Sequence, residues 1–178
     1  NNLAVPTLSG PTEVCAGTSG HVYTTEAGMS NYSWTVSAGG SITAGNNSTS
    51  NSITVKWNTS GAQTVSVNYA NASGCAASGA TLYNVTVNAL PVPTISGDAL
   101  ACGGSSVIYT TELGMSNYQW TVSAGGAIVS GGTPSDPSMT VLWSGSGAQS
   151  VSVGYTNSNG CQSSSPTVKN ITVSAEAQ

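Results

Sequence analysis

Arginine and phenylalanine are missing from this chain, histidine occurs once, and lysine occurs only as Lys56 and Lys169. Binding to nucleic acid draws its affinity from clustered cations that displace the counterions around phosphate. Two lysines in 178 residues exclude that class of partner. Charged side chains make up only 4% of the sequence, and its polarity comes instead from Ser, Thr, Asn and Gly. No run approaches the roughly 20 apolar residues of a membrane-spanning helix, and no basic amphipathic segment is present to lie on a bilayer. Neither a basic nor an apolar leader follows Asn1, so any targeting signal is expected to have been removed or to lie outside this sequence. With no Phe, the residues Trp34, Trp57, Trp120 and Trp143 must supply much of the bulk of any core.

What the sequence does have is an internal repeat. The run GMSNYSWTVSAGG at residues 28–40 returns as GMSNYQWTVSAGG at 114–126. PTLSG from Pro6 returns as PTISG from Pro93, TVKW from Thr54 as TVLW from Thr140, and GAQTVSVNY from Gly61 as GAQSVSVGY from Gly147. Two modules are therefore expected, at 1–90 and 91–178. Within each, apolar residues alternate with Ser and Thr, the period-two signature of half-buried strands. Tyr32, Trp34 and Val36 share one face; Ile53, Val55 and Trp57 form a second inward row, Val65, Val67 and Tyr69 a third, and Leu82 or Tyr83 to Val87 a last one. No segment shows a helical period. Short strands separated by Gly-, Asn- and Ser-rich stretches, in a module of this size, predict an all-β fold of two antiparallel sheets packed as a sandwich.

The four cysteines fall two to a module, and the separation of Cys15 from Cys75 nearly equals that of Cys102 from Cys161. Of the three possible pairings, this regularity favours Cys15–Cys75 and Cys102–Cys161, one bridge per module, since pairing across modules would need the halves folded onto each other. On the chain-entropy picture each bridge would contribute about 4 kcal/mol to a small core. Zinc lacks a ligand set, because no CxxC pair exists and His21 occurs in one copy only. The cysteines thus point to an oxidising, extracytoplasmic setting. The junction NALPVP at residues 88–93 places two prolines in three residues, which predicts a short, semi-rigid connector and modules set end to end.

The segments CAG from Cys15, NYxWTVSAGG, ITVxW, GAQxVSVxY and the Gly-Cys that follows resemble the PKD-like, immunoglobulin-type repeats of large exported proteins and adhesins of Bacteroidetes, over nearly the whole chain. The resemblance implies tandem immunoglobulin-like sandwiches, a place at the cell surface or outside the cell, often by the type IX secretion route, and scaffolding or adhesion in place of catalysis. It makes neighbouring repeats of the same long chain the first partners, with surface glycans or proteins next, and allows an accessory module beside a secreted hydrolase. Two departures stand out. The W-x-F-G-D-G run of the better-known PKD signature is replaced after Trp34 and Trp120 by Thr-Val-Ser-Ala-Gly-Gly. Tyr69 and Tyr155 lie six residues before Cys75 and Cys161, not two as in antibody domains, so the bridge is expected to pin an early loop to the last hairpin.

Residues able to do chemistry are few. His21 aligns with Val107, so the second module does without imidazole. Glu26 and Glu112 are the only acids shared by both copies, each alone in its module, which gives no carboxylate pair for glycoside hydrolysis. Calcium is the one ion left open, through Glu26 or Glu112 with nearby Asn, Ser and backbone oxygens, or near the junction through Asp98; no other cofactor is expected. Asn31 and Asn117 are otherwise read as turn formers. Lys56 aligns with Leu142 and Lys169 with Tyr83, so no isopeptide lysine recurs. The sequons at Asn31, Asn46, Asn47, Asn58, Asn71, Asn84 and Asn170 mark surface at most. Tyr83 is the aromatic considered for stacking on a sugar. A contact specific to one module would sit where the copies differ, at residues 46–51 against 133–137, the latter carrying Asp136. The whole is expected to be a non-enzymatic monomer.

Overall fold

The structure is a computed structural model that describes residues 2–175. It divides into two compact units, Asn1–Ala89 and Leu90–Gln178. All of the regular structure among the described residues is β-strand.

In the first unit the strands are β1 (Glu13–Cys15), β2 (His21–Thr24), β3 (Ser30–Val36), β4 (Gly40–Ala44), β5 (Ser52–Trp57), β6 (Gly61–Ala70) and β7 (Thr81–Asn88). They form a four-stranded sheet in the order β1-β7-β6-β3 and a three-stranded sheet in the order β2-β5-β4. The second unit repeats this with β8 (Leu100–Cys102), β9 (Ser106–Thr110), β10 (Ser116–Val122), β11 (Gly126–Gly131), β12 (Ser138–Trp143), β13 (Gly147–Thr156) and β14 (Thr167–Ser174). Its sheets run β10-β13-β14-β8 and β11-β12-β9. Each unit is a β-sandwich, antiparallel except where its short first strand joins its last strand in parallel, β1 on β7 and β8 on β14.

The alternation of the sequence is the inside–outside alternation of the sheets. Tyr32 and Trp34 are buried while Ser33 and Thr35 face water, and Ile53, Val55, Trp57, Val65, Val67 and Tyr69 all point inward. On β7 the inward residues are Val85 and Val87; Leu82 is 63% exposed and Tyr83 half-buried. Trp57 and Trp143 are the largest fully buried side chains. Each indole N–H donates to a buried tyrosine hydroxyl, Trp57 to Tyr23 at 3.1 Å and Trp143 to Tyr109 at 3.2 Å. The rings meet edge to face with centroids 6.3 and 6.4 Å apart, which removes the penalty of burying an indole donor while keeping its apolar area.

Two features of the long shared run have backbone causes. Asn31 and Asn117 are not in turns but inside β3 and β10, with φ of 56° and 52°, where the pairing register shifts. Asparagine tolerates this left-handed conformation better than other non-glycine residues, and the resulting bulge keeps Tyr32 and Trp34 aimed inward. At the other end of the run, a Cβ on Gly40 would lie 2.6 Å from the Trp57 ring, and on Gly126 2.7 Å from Trp143, so the second glycine of SAGG is the space the tryptophan needs. The serine of SAGG completes the corner. Ser37 donates to Gln63 Oε1 at 2.5 Å and accepts from Thr64 N at 3.0 Å; Ser123 does the same with Gln149 and Ser150.

The bridges expected within each module do not form. Cys75 and Cys102 carry free thiols, whereas Cys15 and Cys161 are disulfide-bonded. Register supplies the reason. Cys15 pairs with Asn88, the last residue of β7, while Cys75 follows β6 at the end where β7 begins, next to the Ala70–Ala76 bridge. Eight residues of β7 separate those ends, about 25 Å at roughly 3.3 Å per residue, against the roughly 7 Å Cα limit for a disulfide. In the second unit Cys102 pairs with Ser174 at the end of β14, and Cys161 lies beyond Thr156 near its start. The similar spacings in sequence reflect the repeat itself, not a bond within it.

Candidate functional site

The residues most open to a functional reading are the two shared acids. Glu26 follows β2, and its carboxylate accepts from Thr7 N at 3.2 and 3.1 Å, from Thr25 Oγ1 at 2.7 Å, from the Tyr69 hydroxyl at 2.8 Å and from Thr7 Oγ1. Its backbone carbonyl accepts from Tyr32 OH at 2.6 Å, and that hydroxyl in turn accepts from Met29 N at 3.0 Å. One side chain thus ties the first segment of the module to the β2–β3 loop and to β6. The second copy repeats it: Glu112 accepts from Thr94 N at 3.1 Å, Thr94 Oγ1 at 2.6 Å and Thr111 Oγ1 at 2.7 Å, and its carbonyl from Tyr118 OH at 2.7 Å. Tyr155 reaches the same carboxylate.

The electrostatics follow from these donors. Partial burial alone would raise both carboxyls, but hydrogen bonds from Thr7 and Thr25, or Thr94 and Thr111, outweigh it and hold each at about 2. Burial and the neighbouring carboxylate push Tyr69 and Tyr155 up to about 12. An ionised acid surrounded by neutral donors is therefore the resting state. A calcium ion on Glu26 or Glu112 would have to compete with those donors for oxygens already engaged. No group of three or more His, Cys, Asp or Glu able to hold a metal occurs among the described residues. Asp98 lies apart, where its carbonyl accepts from Tyr109 OH at 3.2 Å, beside a shallow hollow with Leu100, Cys102 and Ser105 that has no second acid among the described residues.

Several of the remaining sequence candidates have structural partners. His21 shares a 2.7 Å hydrogen bond with Thr18 Oγ1, and burial lowers its pKa. Tyr83 donates to the Gly10 carbonyl at 2.6 Å and packs its ring 6.0 Å from that of Tyr23, so much of its surface is covered. Lys56 is exposed on β5. Asn71 is committed to its own loop, accepting from Ser73 N and Cys75 N at 3.0 Å and donating to the Asn2 carbonyl at 2.8 Å. Asp136 caps its loop, taking Thr133 N at 3.0 Å and Thr133 Oγ1 at 2.6 Å. The two variable loops share one anchor that sequence reasoning missed: the indole N–H of Trp34 donates to Ser50 O at 2.9 Å and that of Trp120 to Asp136 O at 3.0 Å. Aromatic positions shared by the two copies therefore hold loops of different composition by a backbone acceptor, which no side-chain pattern announces.

Three comparisons place the chain among known proteins. The PKD-like domain family matches residues 2–85 and 88–175. No sequence among curated proteins matches. Solved structures with a similar arrangement include the D00–D0 domain of intimin, at 13% identity over 95% of this chain and 99% of that one, with a TM-score of 0.48. Domains 4 and 5 of the S-layer protein SbsC give 13% identity, coverage of 98% and 100%, and a TM-score of 0.40. The Escherichia coli adhesin FdeC gives 15% identity, coverage of 94% and 63%, and a TM-score of 0.41. These likenesses are too distant to bear on function. The family match covers each repeat in turn, and the chain belongs to the PKD-like domain family as two consecutive copies of that domain.

Proposed function

We propose that the two modules are non-catalytic structural repeats, spacers or stalk elements of a larger exported surface protein. One observation carries the reading: in both copies the shared residues that could bear chemistry are consumed by the fold. Glu26 and Glu112 accept from Thr and Tyr donors, Ser37 and Ser123 lock Gln63 and Gln149, and the buried Trp57 and Trp143 are bonded to Tyr23 and Tyr109. A duplicated binding site would leave convergent polar groups open in each copy. The four cysteines favour an extracytoplasmic setting, and the resemblance of the shared segments favours a Bacteroidetes parent using type IX secretion.

The chain applied to glycan and surface-protein arrays is expected to give no saturable binding above background. A saturable signal that disappears in Asp136→Ala or Tyr83→Ala would replace the spacer reading with that of an accessory binding module.

A further inference from the structure

The loop between β4 and β5 and the loop between β11 and β12 hang from matching anchors. In unit 1, Tyr32 N donates to Ser48 O at 3.0 Å and Thr25 N to Asn51 O at 2.9 Å. In unit 2, Tyr118 N donates to Pro134 O at 2.9 Å and Thr111 N to Pro137 O at 2.8 Å. Between these anchors the indole N–H of Trp34 takes the carbonyl of Ser50, and that of Trp120 takes the carbonyl of Asp136. The anchors are shared and the chemistry is not: where unit 1 has Ser50-Asn51, unit 2 has Asp136-Pro137.

That difference gathers the parts of an acyl transfer on one peptide bond. The nucleophile is the Asp136 carboxylate. Its Oδ2 accepts from Thr133 N at 3.0 Å and Thr133 Oγ1 at 2.6 Å, while no hydrogen bond from the described residues reaches Oδ1. The bonds from Thr133 lower the pKa of this carboxyl, so it stays ionised in mild acid. The electrophile is the carbonyl of the same residue, whose oxygen already accepts from Trp120 Nε1 at 3.0 Å, the distance expected of an oxyanion donor. The leaving group is the nitrogen of Pro137, a tertiary amide that carries no hydrogen and is more readily protonated than an ordinary peptide nitrogen. Both residues are half-buried, so water reaches the bond, and Thr111 and Trp120 hold the carbonyls on its two sides. Ser50 offers no carboxylate and Asn51 no tertiary amide, which leaves unit 1 without the reaction.

We propose that unit 2 cuts its own chain between Asp136 and Pro137. Asp136 Oδ1 attacks the Asp136 carbonyl carbon, and the developing oxyanion keeps the N–H of Trp120. Nucleophile and electrophile belong to one residue, so the attack needs no second molecule. The C–N bond then breaks with its electron pair going to the Pro137 nitrogen, which takes two protons from the medium and leaves as a secondary ammonium group. Asp136 is left as a five-membered cyclic anhydride. Water opens it to two carboxylates and returns two protons, so the sum is one peptide bond hydrolysed by one water. The cut falls between β11 and β12, which are paired in one sheet, while β10, β13, β14 and β8 interleave the two pieces in the other. The fragments therefore stay together until the sandwich is unfolded.

The test holds the 178-residue chain at about pH 5, above the ordinary carboxylate range, and reads masses over time after reduction in denaturant. Fragments 1–136 and 137–178 are expected, the second starting at Pro137, with no cut at Ser50–Asn51. Cleavage should be faster in the folded chain than in the same chain unfolded in guanidinium, because only folding brings Trp120 to the carbonyl. Trp120→Phe should slow the folded rate by about tenfold or more and leave the unfolded rate unchanged. Asp136→Glu keeps an acid but requires a six-membered ring, and should slow the cut in both states. An uncut chain, a folded chain cut no faster than the unfolded one, or parent-like cutting in folded Trp120→Phe or in Asp136→Glu would each overturn the proposal. The comparison of folded with unfolded parent decides the matter even where Trp120→Phe fails to fold. The inference goes beyond the spacer reading and fails separately from it: the masses read bond scission, the arrays read binding.

Discussion

Trp57→Ala is expected to lower the stability of the first module by about 3–5 kcal/mol, the usual range for removing a large buried aromatic. Trp57 is fully buried and its ring fills the space beside Gly40. Its loss opens a cavity and removes the donor to Tyr23 in the same step. A domain of this size is stable by only about 5–15 kcal/mol, and each kcal/mol shifts the melting temperature by roughly 4–8 °C. Calorimetry should therefore show the thermogram split, with an early transition for unit 1 tens of degrees below that of unit 2, which retains Trp143 and its bond to Tyr109. A single transition displaced as a whole would mean that the modules do not unfold independently.

Acid should destabilise both modules through Glu26 and Glu112. Their carboxyls are held at about 2, below the ordinary value of 4.5, so the stabilisation is complete above about pH 4.5 and is lost as the pH falls towards 2. Both groups are partly exposed, and with that screening the contribution is about 1–2 kcal/mol per module. Glu26→Gln with Glu112→Gln is expected to melt lower than the parent at pH 7 and to show a flatter decline across that window. An equal acid slope in parent and double variant would assign the decline to other groups.

The core was legible because period-two patterning survives in a chain with so few charges: Tyr32 and Trp34, Ile53 to Trp57 and Val65 to Tyr69 all point where alternation puts them. Short elements were not legible. β1 has three residues and pairs in parallel with a strand about 70 positions away, and β4 begins at the glycine of SAGG that reads as a loop. Tyr23 was passed over because β2 spans only four residues, although it is fully buried against Trp57. The cysteine pairing was misread because spacing carries no information on which end of a sheet a residue occupies. Glu26 was visible as a shared acid, but its role depends on Thr7 and Tyr69, 19 and 43 residues away, whose approach only the folded topology creates. Tyr83 and Leu82 could not be separated on the sequence, since both follow turn residues at the start of β7 where the phase of alternation is set by the register with β6.

That the residues shared by the two modules serve the fold and not a ligand can be tested most directly on the acids themselves, by melting the chain in millimolar calcium and in chelator. Because Glu26 and Glu112 already accept from Thr and Tyr donors in each module, the melting temperature is expected to be the same in both conditions. A rise of several degrees in calcium that vanishes in Glu26→Gln with Glu112→Gln would contradict the account and make the shared acid a metal ligand.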